Sequence, residues 1–263
     1  MQVKKTKCKS LMSKSGGGYD YTINPYKGCS HGCAYCYAPF FLRETREWGS
    51  FVDVKTNAAE VLEKEMLKNP KGSILISIVT DPYQAAEREY NNTRKILEKL
   101  NKNYKISILT KSDLVLRDID LFRRLGCEVG MTITTLDENN ARNFEPNATP
   151  PMKRLDVLSY LKVYGLKTYI FFGPLLPFIS DIDLERTVSR LAAARPNKIM
   201  VDRLNIKGTN HWKSMKAFLD KNYPGMSDKW EDVLHTQNDY YDKLKQTLIG
   251  LFNKYGVKYE FCY

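Results

Sequence analysis

The sequence predicts an α/β fold, a parallel sheet with helices on its outside, and three observations predict it. Apolar, β-branched runs recur without polar alternation, as in strands buried on both faces. Amphipathic helical stretches lie between them. From the second run onward, strand starts recur every roughly 23 to 39 residues, the spacing of βα units. About six such units give either a barrel-like or a doubly wound sheet.

Each element has its own signal. Residues 1 to 18 are rich in Lys, Ser and Gly and end in Gly16-Gly17-Gly18, so they read as a mobile or surface-draped lead-in. Ile23 to Tyr26 is a weak first strand. Ile74 to Val79 is continuous and apolar, and Ile106 to Leu109, Val129 to Ile133, Thr168 to Phe172 and Ile199 to Val201 read similarly. Asn57 looks like a helix cap, with Glu60 three residues on and Val61, Leu62 and Met66 behind it. Ile96, Leu97 and Leu100 line a second helix. Leu121, Phe122 and Leu125 line a third, which Gly126 stops; Leu155, Leu158, Leu161 and Tyr164 line a fourth, stopped by Gly165. Leu184, Val188 and Leu191 line a fifth, ended by Arg195-Pro196.

Past Lys207 the character changes. Asp228 and Glu231 open what reads as one long helix, with Trp230, Val233, Leu234, Gln237, Tyr241, Leu244, Leu248 and Leu251 on its stripe. Val257 to Phe261 reads as a last short strand. The organisation expected is a lead-in over 1–18, a sheet domain over 19–206 and an extension packed on it over 207–263.

The chain has 263 residues, 43% hydrophobic and 27% charged, which argues against disorder, collagen and coiled coil. No apolar run approaches the ~18 residues of a membrane span. Met1-Gln2-Val3-Lys4-Lys5 is followed by no apolar signal region, so a cytoplasmic protein without membrane partners is expected. The net charge of +11 permits a polyanionic partner without locating a binding face.

Six cysteines in such a chain point away from a disulfide framework. Cys29, Cys33 and Cys36 fall in the stretch Asn24-Pro-Tyr-Lys-Gly-Cys29-Ser-His-Gly-Cys33-Ala-Tyr-Cys36, with spacing Cys-x3-Cys-x2-Cys. Three thiolates on one loop can hold three irons of a [4Fe–4S] cluster and leave the fourth iron open to a small molecule. Zinc held by the three cysteines with His31 or a distant ligand is the rival, although its usual paired spacing is only partly matched.

These residues resemble the signature of the radical S-adenosylmethionine (SAM) superfamily, Cys-x3-Cys-x-aromatic-Cys, with Tyr35 as the aromatic residue. Further stretches resemble the spore photoproduct lyase-like group, also called DNA repair photolyase-like. They are Asn24 to Cys29, Cys36-Tyr37-Ala38, Val79-Thr-Asp-Pro-Tyr-Gln84, Leu109-Thr-Lys-Ser112, Thr132-Ile-Thr-Thr-Leu-Asp137 and Asn143-Phe-Glu-Pro146.

The resemblance implies a partial (β/α)6 TIM-like barrel with a C-terminal helical extension, carrying a [4Fe–4S] cluster and SAM at the C-terminal ends of its strands. It implies Cys29, Cys33 and Cys36 as cluster ligands and Tyr35 against the adenine. It places Thr80 and Asp81 at the SAM amino group, Lys111 at the SAM carboxylate or ribose, and Thr134, or Thr132 in a shifted alignment, at the ribose. Arg154 is a further candidate for the methionyl end. The activity implied is reductive cleavage of SAM to a 5′-deoxyadenosyl radical that takes hydrogen from a substrate, with nucleic acid among the candidates. An external one-electron reductant such as flavodoxin or ferredoxin is implied as partner.

Departures from the pattern matter. Val79 stands where spore photoproduct lyase has a hydrogen-donating cysteine, which puts thymine-dimer lyase activity in doubt. Tyr37 matches a tyrosine held to relay the radical there, and is otherwise an aromatic packed near the cluster. Cys262 is a candidate donor thiol if the C-terminal segment covers the barrel mouth; Cys8 and Cys127 read as free thiols. Two alternatives stay open: the same class of enzyme yielding a 3-amino-3-carboxypropyl radical, and a metal-stabilised nucleic-acid binding protein without turnover.

Overall fold

The computed structural model describes residues 1 to 15 and 18 to 263. Its strands are β1 (Gln2–Thr6), β2 (Met12–Lys14), β3 (Tyr21–Ile23), β4 (Tyr26–Lys27), β5 (Phe51–Lys55), β6 (Gly72–Ile76), β7 (Tyr104–Thr110), β8 (Glu128–Ile133), β9 (Lys167–Leu175), β10 (Lys198–Arg203) and β11 (Tyr259–Phe261). Eight of them form one sheet in the order β11-β10-β9-β8-β7-β6-β3-β2. All neighbours in it are parallel except β2 and β3, which run antiparallel. Among the described residues β2 and β11 do not pair, so the sheet is a partial barrel and not a closed one.

The parallel strands form where the apolar runs are. Ile74, Ile76, Ile106, Ile108, Val129, Met131, Ile133, Ile170 and Phe172 are buried in one core with the inner faces of the helices. That core includes Leu62, Ile96, Leu97, Phe122, Leu158, Leu161, Val188 and Leu191. The helices Ile119–Leu125 and Pro151–Val163 end as the glycines require, with Gly126 at φ +71° and Gly165 at φ +76°. Gly130 is needed for a different reason. A Cβ there would lie 2.2 Å from the Tyr169 ring, which crosses β8 to bond Ser107 and the Ile108 carbonyl.

Four expectations change. The run Ile74 to Val79 stops being a strand at Ile76, because the Asn24 side-chain oxygen takes the Ile78 and Val79 amides at 3.0 and 3.1 Å. Asn57 stands at the cap position of helix Ala58–Lys68 but does not cap it. Its amide instead clamps the Cys8 backbone, accepting at 2.8 Å and donating at 2.9 Å. The lead-in carries order: β1 pairs in parallel with β5, and β2 pairs antiparallel with β3. Gly16 and Gly17 lie outside the described residues.

The long C-terminal helix is two, Met226–His235 and Tyr240–Lys254, preceded by a helix Gly208–Asn222. Asn238 breaks it. Its amide donates to the Asp232 and Val233 carbonyls at 2.9 and 3.1 Å, and its oxygen accepts the Tyr240 amide at 3.0 Å. These helices bury Trp212, Met215, Leu219 and Trp230 in a second core with Tyr35 and Phe144. The chain then ends on β11, parallel to β10.

Candidate functional site

The three cysteines lie on the loop between β4 and the short helix Ala38–Phe41. That loop is bolted at both ends to the segment after β6. Thr80 donates to the Gly28 carbonyl at 2.7 Å and accepts from Gln84, whose amide also donates to Gly28 at 3.1 Å and accepts the Ser30 amide at 2.8 Å. Asn24 fixes the other side through Ser77, Ile78 and Val79. Gln84 is fully buried, so its three side-chain bonds are a structural requirement.

All six cysteines are free thiols. Burial raises Cys33 to about 11 and Cys36 to about 12, and the charge of Lys111 draws both down. Cys33 and Cys36 also act on each other. Two thiols and an ammonium therefore face a common space, and a metal centre there would displace the thiol protons. Among the described residues no three His, Cys, Asp or Glu side chains close on a single metal-ion position. A cubane asks for something else, three thiolates on three different irons and hence sulfurs held apart.

His31 is turned to a carboxylate. Its Nδ1 lies 3.4 Å from Asp81. Burial opposes its charge, but Asp81 and Cys29 outweigh that and raise its pKa to about 10.

The implied SAM contacts gather at the C-terminal ends of the strands, though not all with a free group. Asp81 follows β6 and is buried. One oxygen accepts from Thr110 at 2.6 Å and from the Tyr83 amide at 2.9 Å; the other accepts from the Lys111 amide at 2.8 Å and faces His31. Its pKa falls to about 2 although burial alone would raise it, because His31 and these donors stabilise the anion. All of its roughly four lone-pair sites are thus occupied.

Lys111 ends β7. Its ammonium stands 5.6 Å over the Tyr35 ring and makes no hydrogen bond or ion pair among the described residues. Burial would lower its pKa, but Cys33 and Glu145 raise it, so it stays charged. Thr132 is buried on β8 with no hydroxyl partner among the described residues. Thr134 is committed: it donates to the Gly173 carbonyl at 3.1 Å and meets Glu145 at 3.0 Å and Tyr35 at 3.2 Å.

Tyr35 donates to Glu145, which Arg154 pairs from its other side. Arg154 is buried and also holds the Thr132 carbonyl at 2.9 Å, so it is not on a surface helix face and does not point free toward a ligand. Arg154 and Lys111 keep Glu145 ionised against the cost of burial. Glu145 is the residue that sequence reasoning missed. The motif Asn143-Phe-Glu-Pro146 contained it, but the pairing to Arg154 depends on two helices meeting in space.

The outlying candidates separate. Tyr37 donates to the Ile78 carbonyl at 2.7 Å, and burial raises its pKa to about 12. Cys262 is exposed, its amide bonded to the Val201 carbonyl at 2.9 Å beside β10. Cys127 is buried in the main core, and Cys8 is held by Asn57.

Comparison with known proteins follows the same lines. The family model described as the radical SAM superfamily matches residues 23–191. A Methanocaldococcus jannaschii protein, MJ0683, is 37% identical over 212 residues, 79% of this chain and 78% of its own length. Rv2578c of Mycobacterium tuberculosis is 29% identical over 278 residues, 95% of this chain and 80% of its own. A spore photoproduct lyase variant with bound AdoMet and dinucleoside spore photoproduct superposes with TM-score 0.77 at 12% identity, over 99% of this chain and 81% of that one. SuiB of Streptococcus suis, bound to S-adenosylmethionine, superposes with TM-score 0.58 at 14% identity, over 91% and 46%. Among the described residues no helix is long and apolar enough to cross a membrane.

Proposed function

We propose, on the premise that this chain belongs to the radical SAM superfamily, that it cleaves SAM reductively to a 5′-deoxyadenosyl radical and removes hydrogen from an organic substrate. A [4Fe–4S] cluster and SAM are the cofactors of that superfamily. The observation that carries the reading is one juxtaposition. Three free thiols share a bolted loop, and the unpaired Lys111 ammonium lies within electrostatic reach of Cys33 and Cys36 at the strand ends.

The residues divide the work. Cys29, Cys33 and Cys36 would hold the cluster, which supplies the electron that breaks a C–S bond of SAM. Lys111 suits the SAM carboxylate, as a desolvated charge without a competing partner. Thr132 has a free hydroxyl for the ribose, whereas the Thr134 hydroxyl is committed to Gly173, Glu145 and Tyr35. Tyr35, its phenol locked by Glu145, offers a fixed ring to the adenine. Asp81 can accept the SAM ammonium by releasing His31, its longest contact. Their common task is orientation and exclusion of water.

A nucleic-acid substrate is supported by the +11 charge and by the likeness to spore photoproduct lyase. Thymine-dimer reversal is not part of the proposal, because Val79 offers no S–H hydrogen. The test is anaerobic reconstitution, then dithionite and SAM. The expected products are 5′-deoxyadenosine and methionine, both lost in Cys29→Ala. Methylthioadenosine would assign the other C–S bond. A Cys29→Ala protein that still cleaves SAM, or native protein holding zinc and no iron, would overturn the proposal.

A further inference from the structure

The cluster must be reduced from outside, and one face of the molecule stands directly over the cysteine loop. It belongs to the small sheet β1-β5-β4. Register puts Lys4 opposite Asp53 and Asp53 opposite Lys27, in one row across the three strands. Phe51, two residues before Asp53, shares that face.

Phe51 and its neighbours are pressed onto the loop. A Cβ on Gly28 would lie 2.6 Å from the Phe51 ring, and a Cβ on Gly49 would lie 3.0 Å from the Gly32 Cα. Arg46 covers the Phe51 ring at 3.6 Å, and Trp48 meets it edge-on at 6.0 Å. The half-exposed Trp48 stands edge-on to the Phe51 ring above that loop. Two side chains in contact, Trp48 and Phe51, therefore lead from solvent to the loop that carries the cysteines. Lys111 approaches the same thiols from the strand ends.

The sheet and loop that carry Trp48 are basic on their exposed side. Lys4 and Arg43 are exposed, and the side chains of Lys27 and Arg46 remain 44% and 37% exposed. Their acidic partners Glu44 and Asp53 are sunk to 6% and 11%, so they neutralise from beneath; Glu47 is the exposed acid of the loop. Arginine and tryptophan within a polar rim are what small recognition patches use, and redox encounters bury little area.

We propose that this face, with Trp48 and the basic residues Lys4, Lys27, Arg43 and Arg46 of the same sheet and loop, docks a small acidic one-electron carrier protein and passes its electron to the cluster held by the cysteine loop. The proposal rests on the radical SAM reading above. In the step, one electron leaves the reduced flavin or iron–sulfur centre of the carrier and enters the cluster; no bond forms or breaks and no proton moves. Opposite charge steers the encounter, so salt weakens it.

The test uses the reconstituted protein and flavodoxin as probe, with the double variant Lys4→Glu/Arg43→Glu. Calorimetric titration with oxidised flavodoxin should show affinity lowered at least about tenfold, with less salt dependence. Flavodoxin-driven 5′-deoxyadenosine formation should fall with it, and dithionite-driven formation should not change. Unchanged flavodoxin affinity and rate would overturn the proposal, as would equal loss with both reductants. If the variant instead loses salt-sensitive binding of a single-stranded oligonucleotide and keeps its flavodoxin-driven rate, the face is a nucleic-acid surface and the proposal fails. Absence of SAM cleavage by wild-type protein with dithionite would overturn the radical SAM reading, and the docking with it.

Discussion

Two buried ionic networks sit near each other in this fold, and they differ in whether they are closed. The first joins Glu87 and Asp118, both fully buried, to Arg94 and Arg117. Glu87 accepts from Tyr26, Arg117 and the Thr93 and Arg94 amides. Asp118 accepts from Tyr83, Arg94 and two Arg117 nitrogens. Every lone-pair site is filled. The second joins Tyr35, Thr134, Glu145 and Arg154, with Lys111 beside it. Here an ammonium and the Thr132 hydroxyl have no partner among the described residues. A closed network spends its charges on the fold; an open one keeps them for a ligand.

That difference can be broken from either side. The largest effect should come at the loop that the open network faces. Cys33→Ala should bind no intact cluster after reconstitution, read as iron content and the brown absorbance, and should release no 5′-deoxyadenosine. Next comes the closed network. Asp118→Ala leaves two guanidiniums and the Tyr83 phenol short of an acceptor in the interior, so urea unfolding should show a loss of about 3–5 kcal/mol. SAM cleavage by the fraction that remains folded should persist.

A third buried polar group shows the cost of ionising what the fold keeps neutral. His211 is fully buried, accepts the Lys207 amide at 3.0 Å and stacks on Phe40 at 4.5 Å. Burial lowers its pKa to about 4. The unfolded chain takes up the proton near pH 6.5, so between the two values it binds more protons than the folded chain. The His211 contribution to stability therefore falls as pH drops through that window, by about 2 kcal/mol from pH 7 to 5. Melting curves of wild type and His211→Gln should diverge by this slope as pH falls.

The parallel sheet was legible because β6 to β10 are apolar on both faces, and the runs at Ile106 and Val129 stand out in any window. The small sheet was not. β1 is exposed along most of its length, and β5 buries Asp53 under Arg46, so neither shows hydrophobic periodicity. The break at Asn238 was hidden because the apolar stripe runs through it. At the site, cysteine spacing and strand-end position pointed to the loop, Lys111 and Thr132. They could not show that the Asp81 oxygens are already taken, nor that Glu145 meets Tyr35 across 110 residues of sequence. Those facts arise only when loops from different strands close together.

The smallest predicted effect tests the central claim most directly. Calorimetric titration of reconstituted Lys111→Met with SAM, beside its melting temperature, separates a ligand's charge from the fold's. The account predicts affinity lowered about tenfold, near 1.4 kcal/mol, with melting shifted by no more than about 2 °C. A variant that binds SAM as wild type does, or melts far lower, would contradict it and place Lys111 with the closed network.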